Sequence, residues 1–110
     1  MFDPAKLLAA AKAAAQAKPV PVTLHGIGDA FRRKLTVADI ETAGIVRETL
    51  KDQGKLSRNM NIAVGLAQAI CGPDGAPVFD VNSDDHLDIL AALPWESVRG
   101  LMTDAEAGND

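Results

Sequence analysis

The sequence predicts a small, mainly α, single-domain fold: four to five helices with one or two short β-strands or a hairpin. Three observations carry that expectation. Apolar residues recur at helical spacing in several stretches, each preceded by a side chain suited to capping a helix. One stretch, Met60 to Cys71, is apolar on nearly every side, as the central helix of a core is. The chain has 110 residues and a mass of 11.5 kDa, which is enough for one modest core and not for two.

Asp3-Pro4 supplies a cap residue and an N1 proline ahead of an alanine-rich stretch, 5–17, whose only large apolar residues are Leu7 and Leu8. The helix should stop before Lys18-Pro19, because a residue preceding proline is driven out of the α region. Most of its apolar face is methyl groups. Residues 1–18 are therefore expected either to pack tightly or to lie at the periphery awaiting a partner.

Pro19 to Leu24 carries two prolines, which confines it to an edge strand or extended arm. His25 to Asp29 is a turn by composition, and Ala30 to Leu35 is a candidate return strand. Thr36 then reads as an N-cap. Val37, Ile40, Ala43, Gly44 and Arg47 to Leu50 follow a helical period ending near Lys51. After a loop at 52–55, Ser57 or Asn59 caps the apolar helix, which is expected to run to about Cys71 with only Asn61 and Gln68 strongly polar. Gly72 to Pro77 is dense turn chemistry, and Val78-Phe79 is expected to form one arm of a small hairpin or an extended strip. Asn82 or Ser83 caps a helix carrying Leu87, Leu90 and Leu93. Pro94 starts the last helix, whose apolar stripe is Trp95, Val98, Leu101, Met102 and Ala105, with residues 107–110 frayed.

Hydrophobic residues are 47% and charged residues 24% of the chain, which excludes wholesale disorder and collagen-like structure. Cys71 is the only cysteine, so an internal disulfide is impossible and a reducing cytoplasm is expected. The start lacks the basic n-region of a signal peptide, and the longest apolar run, 12 residues, falls short of the roughly 20 a membrane helix needs. Charge is unevenly placed: residues 1–58 carry +4 and residues 59–110 carry −8. Acids in first helical turns explain part of this through the helix dipole. The same asymmetry permits head-to-tail association of identical subunits.

Motifs for catalysis or cofactor binding are weak. His25 and His86 lie in no recognisable motif, and Cys71 ends the most apolar helix, where a thiol behaves as a small hydrophobe. Asp80-x-Asn82-x-Asp84 opens like an EF-hand loop, but Asp85 and Ala91 stand where that loop needs its glycine and its bidentate glutamate. Cys71, His25 and His86 are too few for a zinc site. Gly26-Ile27-Gly28 has Phe31 at the third glycine position of a dinucleotide fingerprint. No cofactor or metal is expected.

Arg32-Arg33-Lys34 beside Phe31 is a basic patch, so a small helical DNA-binding regulator is the alternative function. The loop between the helices at 36–51 and 59–71 is longer than a helix-turn-helix uses. The second of those helices is also too apolar to read base edges, and no nucleic-acid partner is expected.

Four stretches carry a family resemblance: Asp74-Gly75-Ala76-Pro77-Val78-Phe79-Asp80, then Asp84-Asp85-His86-Leu87, then Leu93-Pro94-Trp95-Glu96-Ser97-Val98, then Leu101. Together they resemble the tail assembly chaperones of long-tailed bacteriophages and prophages. Those proteins similarly have an Asp-Gly-x-Pro-hydrophobic-Phe turn, an Asp-rich helix start, and a Leu-Pro-aromatic-Glu-x-Val step before a short last helix. Leu35-Thr36-Val37-Ala38-Asp39 is similar to the start of the family's first core helix, and Ala105 to Asn109 to its ending. The likeness covers about forty residues well, while the alanine- and lysine-rich start fits no family motif.

The resemblance implies a non-enzymatic protein of the host bacterial cytoplasm. It would coat the tape-measure protein, self-associate as a homo-oligomer, and leave as tail-tube protein polymerises. Many of the family are also made in a longer, frameshifted form. Such work needs an apolar face for helix capture and a means of multiplying along a filament. The candidate interaction residues are Leu7 and Leu8, the Arg32, Arg33, Lys34 cluster, Asp84, Asp85 and Asp88, and Trp95 with Met102.

Overall fold

A computed structural model describes the backbone of residues 1–108 and the side chains of residues 1–101. The packing expected of Met102 and Ala105 therefore lies outside the described side chains, and Asn109 and Asp110 lie outside the described residues. The described residues form five helices and a three-stranded antiparallel sheet, so the fold is richer in β-structure than the sequence predicts.

The helices are α1 (Pro4–Ala15), α2 (Val37–Asp52), α3 (Arg58–Ala69), α4 (Asp84–Ala91) and α5 (Trp95–Gly108). Each of the first four begins where a side-chain oxygen can take an otherwise unpaired backbone N–H. Asp3 accepts from Ala5 and Lys6, Ser57 from Met60, and Ser83 from His86. Thr36 and Asp39 form a reciprocal capping box on α2.

The strands are β1 (Val20–Leu24), β2 (Gly28–Arg32) and β3 (Ile70–Cys71), in the order β1-β2-β3. In the β1–β2 hairpin Leu24 faces Gly28 and Val20 faces Arg32. Gly26 turns the chain at φ +78°, a conformation other residues adopt at a cost. Pro21 is tolerated because β1 is an edge strand.

The third strand corrects the expectation that the apolar helix runs to Cys71. The helix stops at Ala69, and Ile70 turns to extended geometry (φ −82°, ψ 125°) so that Ile70 and Cys71 pair with Arg32 and Phe31. An unbroken apolar run cannot separate the end of a buried helix from a buried strand. Val78-Phe79 forms no hairpin arm. The turn from Gly72 to Gly75 brings the chain back for one bridge, Cys71 to Pro77. Phe79 then leaves to pack on the core, edge-on to the His86 ring with centroids 6.0 Å apart.

The core is centred on α3, whose Ala63, Val64, Leu66, Ala67 and Gln68 are buried, with α2, α4, α5 and β3 against it. Leu87 and Leu90 come from α4 and Val98 and Leu101 from α5. Ser97 fastens α5 to the β1–β2 turn, its hydroxyl donating to the His25 carbonyl at 2.6 Å. Helix α2 turns Ala43, Val46 and Leu50 inward, which leaves Val37 and Ile40 outside, contrary to the period read from the sequence. Helix α1 has no buried residue at all.

Leu66→Ala should lower the unfolding free energy by about 2–5 kcal/mol through the lost contacts and the cavity. Leu8→Ala on α1 should change it by less than about 0.5 kcal/mol. Urea denaturation of the two variants against the parent checks both.

Candidate functional site

The end of β2, the start of α2 and the end of α3 meet at one side chain, Arg33. Its Nη1 and Nη2 donate to the two oxygens of the Asp39 carboxylate, each at 2.9 Å. Its Nε donates to the Gln68 carbonyl at 2.9 Å, and its backbone N–H to the Ala69 carbonyl at 3.0 Å. The last carbonyls of a helix have no partner within it and carry the negative end of its dipole. Arg33 answers both needs for α3. Gln68 completes the knot: its Nε2 donates to the Asp39 carbonyl at 2.7 Å, while its buried Oε1 has no hydrogen-bond partner among the described residues.

Asp39 is pulled in two directions. Burial pushes its carboxyl pKa up. Hydrogen bonds from Arg33 and from the Thr36 N–H and hydroxyl, with the charge of Arg33, outweigh that and hold it below the ordinary carboxylate value. Burial raises the Cys71 thiol, with Asp74 adding to the rise and Arg33 opposing it, so the thiol is poorly ionised as well as enclosed.

This knot lines a cleft of about 320 Å³ together with Thr42, Phe79 and His86. The His86 ring accepts the Asp80 N–H through Nδ1 at 2.8 Å, which leaves Nε2 to carry the ring proton in the neutral form. Asp80 in turn accepts from the Asn82 N–H, so the Asp80, Asn82, Asp84 run is built as a turn leading into the Ser83 cap. Among the described residues no group of three or more His, Cys, Asp or Glu is placed to hold a metal ion. No helix of the described residues is long and apolar enough to cross a membrane.

The residues singled out from sequence lie on separate elements: α1, the end of β2 and the residues after it, α4, and α5. Leu7 and Leu8 stand exposed on α1. The Arg32, Arg33, Lys34 cluster divides: Arg32 is half-buried, Arg33 is committed to the knot, and only Lys34 is fully exposed. The expectation that Arg33 belongs to an interacting basic patch is thus corrected, because the carbonyl end of α3 and the cap of α2 claim it. Asp84, Asp85 and Asp88 are exposed on α4, with Asp84 3.6 Å from Lys55. Trp95 opens α5 and is 56% exposed, outside the core. Met102 lies on α5, its side chain outside the described ones.

Sequence reading passed over Asp39, Gln68 and the Phe79–His86 pair. Two signals pointed there: Thr36-x-x-Asp39 has capping-box spacing, and Gln68 is one of only two strongly polar residues in the apolar stretch from Met60 to Cys71. Comparison with family models, curated proteins and solved structures gave no match for this chain.

Arg33→Ala or Asp39→Asn should each cost about 1.5–3 kcal/mol of stability at neutral pH, as charged hydrogen bonds do, whereas Lys34→Ala should cost less than about 0.5. Because the folded Asp39 pKa lies below the unfolded one, its contribution is complete above the ordinary carboxylate value of about 4 and is lost as pH falls through the folded value. Denaturation of parent and Asp39→Asn from pH 7 to pH 2 should show the two converging at the acid end.

Proposed function

We propose that this chain is a non-enzymatic tail assembly chaperone of a long-tailed phage or prophage, holding a tape-measure protein and self-associating along it in the bacterial cytoplasm. The ordered motifs from Asp74 to Leu101 suggest the family. The observation that carries the reading is where the fold leaves its large apolar side chains. Of the thirteen exposed large apolar side chains among the described residues, seven lie on helices: Leu7 and Leu8 on α1, Val37, Ile40 and Ile45 on α2, Ile89 on α4 and Trp95 on α5. Exposed apolar surface arranged on helices suits capture of other helices.

The C-terminal part supplies the surface for the tape-measure protein. Asp84, Asp85 and Asp88 share the solvent side of α4 with Ile89, and the connection 92–94 leads directly to the exposed Trp95. Acids around an apolar anchor select an amphipathic helix bearing Lys or Arg beside its apolar stripe. An exposed tryptophan is the side chain that most often anchors such a contact. The regulator reading is weakened because Arg33 is committed inside the fold and the second half of α3, from Ala63 to Gln68, is largely buried.

The test is to sequence the locus and co-express this chain with any long helix-rich protein found encoded there. The chaperone should co-purify with it and keep it soluble. Trp95→Ala should weaken binding at least ~10-fold, the effect of losing a hot spot of about 1.4 kcal/mol or more. Asp85→Lys with Asp88→Lys should weaken it further at low salt than at high salt. A long partner equally soluble without this chain would sink the reading.

A further inference from the structure

Helix α1 presents a puzzle of stability. It is 12 residues long and none of its residues is buried. An isolated helix of that length is marginal in water even when rich in alanine, so it persists by packing against something. Its two large apolar side chains, Leu7 and Leu8, share one stripe with Ala11 and Ala15, at i+3, i+4, i+7 and i+11 from Pro4. Its charges beyond the Asp3 cap are Lys6 and Lys12, and Lys18 follows it.

The outer side of α2 has the complementary character. From Val37 the same spacing selects Ile40, Glu41, Gly44, Ile45 and Glu48, all of them exposed. Val37, Ile40 and Ile45 are 87%, 56% and 61% exposed, on the side of α2 away from its buried Ala43, Val46 and Leu50. Gly44 has open space where a Cβ would stand, so a second helix can approach closely there, and the alanines of α1 have only methyl groups to fit. One stripe is apolar with basic residues on its helix. The other is apolar with carboxylates in it.

We propose that α1 of one copy docks on the outer face of α2 of a second copy. This deepens the reading above, since it rests on the chain working as repeated copies. The occupant is a second copy because the match in charge is between two parts of this chain: residues 1–18 hold three lysines against one aspartate, while the rest of the chain is net acidic. An arm-to-face contact uses two different surfaces. Each copy therefore offers a free arm and a free face, and the contact propagates to a ring or filament.

Two variants test it, Leu8→Cys and Ile40→Cys. Both positions are exposed, and the native Cys71 is buried, so folding is preserved and the background is low. Mixed under mild oxidation, the two should yield a disulfide-linked dimer in at least ~10-fold excess over either variant alone, given an effective concentration near millimolar for docked groups. The doubly substituted chain should give a ladder of linked copies. A doubly substituted chain that closes only on itself, as a linked monomer, would overturn the proposal and place the arm on its own α2. Sedimentation of the parent supplies the second measurement. Association should strengthen with concentration and weaken at least ~10-fold on Leu8→Glu or on Glu41→Lys with Glu48→Lys, since contacts of this size are weak and depend on few residues. A parent that stays monomeric to about 500 μM, a concentration at which millimolar affinity already shows, overturns it as well. No tape-measure protein is present in either assay. Linked copies without tape-measure capture would refute the chaperone and leave the arm contact standing.

Discussion

The ion pair between Arg33 and Asp39 is the contact on which the arrangement of the chain depends. It ties the first turn of α2 to the exit of β2 and the last turn of α3, which backbone hydrogen bonds already hold side by side. Both helix ends are of the sign that a charge of the opposite kind stabilises, and one guanidinium with one carboxylate serves both. The pair is half-buried, where its attraction is little screened and its desolvation is incomplete, which is the regime in which an ion pair contributes most. Gln68 adds direction. By reaching from α3 to the Asp39 carbonyl it sets the rotation of α3 against α2 as well as their distance.

That constraint explains the third strand. With Arg33 holding the Gln68 and Ala69 carbonyls, the chain beyond them lies beside β2, and Ile70 and Cys71 meet Arg32 and Phe31 without a connecting loop. The helix end and the strand are one event. The tight turn at Gly72 to Gly75 then follows from the proline at 73 and the positive φ of Gly75, and it delivers Phe79 to the core.

What the sequence disclosed follows the range of the interactions involved. Caps are local, so Thr36 was legible three residues ahead of its partner, Ser57 and Ser83 were each one of two legible candidates, and the turn at Gly26 was legible too. The role of Arg33 was not. Its partners are 6 and 35 residues away, and a basic triplet looks the same whether solvated or clamped. Helix α2 misled for a different reason. It is apolar on two sides, and periodicity alone cannot choose which of Ile40 and Val46 faces the core. The choice is made by Asp39, which must face Arg33 and so turns Ala43, Val46 and Leu50 inward with it. The outward row of Val37, Ile40 and Ile45 is thus a consequence of the knot, and so is the surface it offers to another chain.

The division of charge along the chain acquires a physical role in that setting. Within the body Arg33 is paired with Asp39 and Lys55 lies beside Asp84; Lys34, Lys51 and Arg58 are exposed there, while the arm offers lysines and the outer faces of α2 and α4 offer carboxylates. Their attraction reaches about 8 Å at physiological salt, far enough to steer an arm toward a face and too weak to keep it there. In the proposed contact Leu7, Leu8 and the α2 row would govern how long it lasts, because apolar contacts are felt mainly in the dissociation rate. An arm with two leucines makes a short-lived single contact. Copies held side by side on one long partner meet one another at high effective concentration, and there the same weak contact is enough to hold an array. For the proposed chaperone, which would leave as a tube polymerises, many weak contacts serve better than one strong one, since each can be released without breaking the rest.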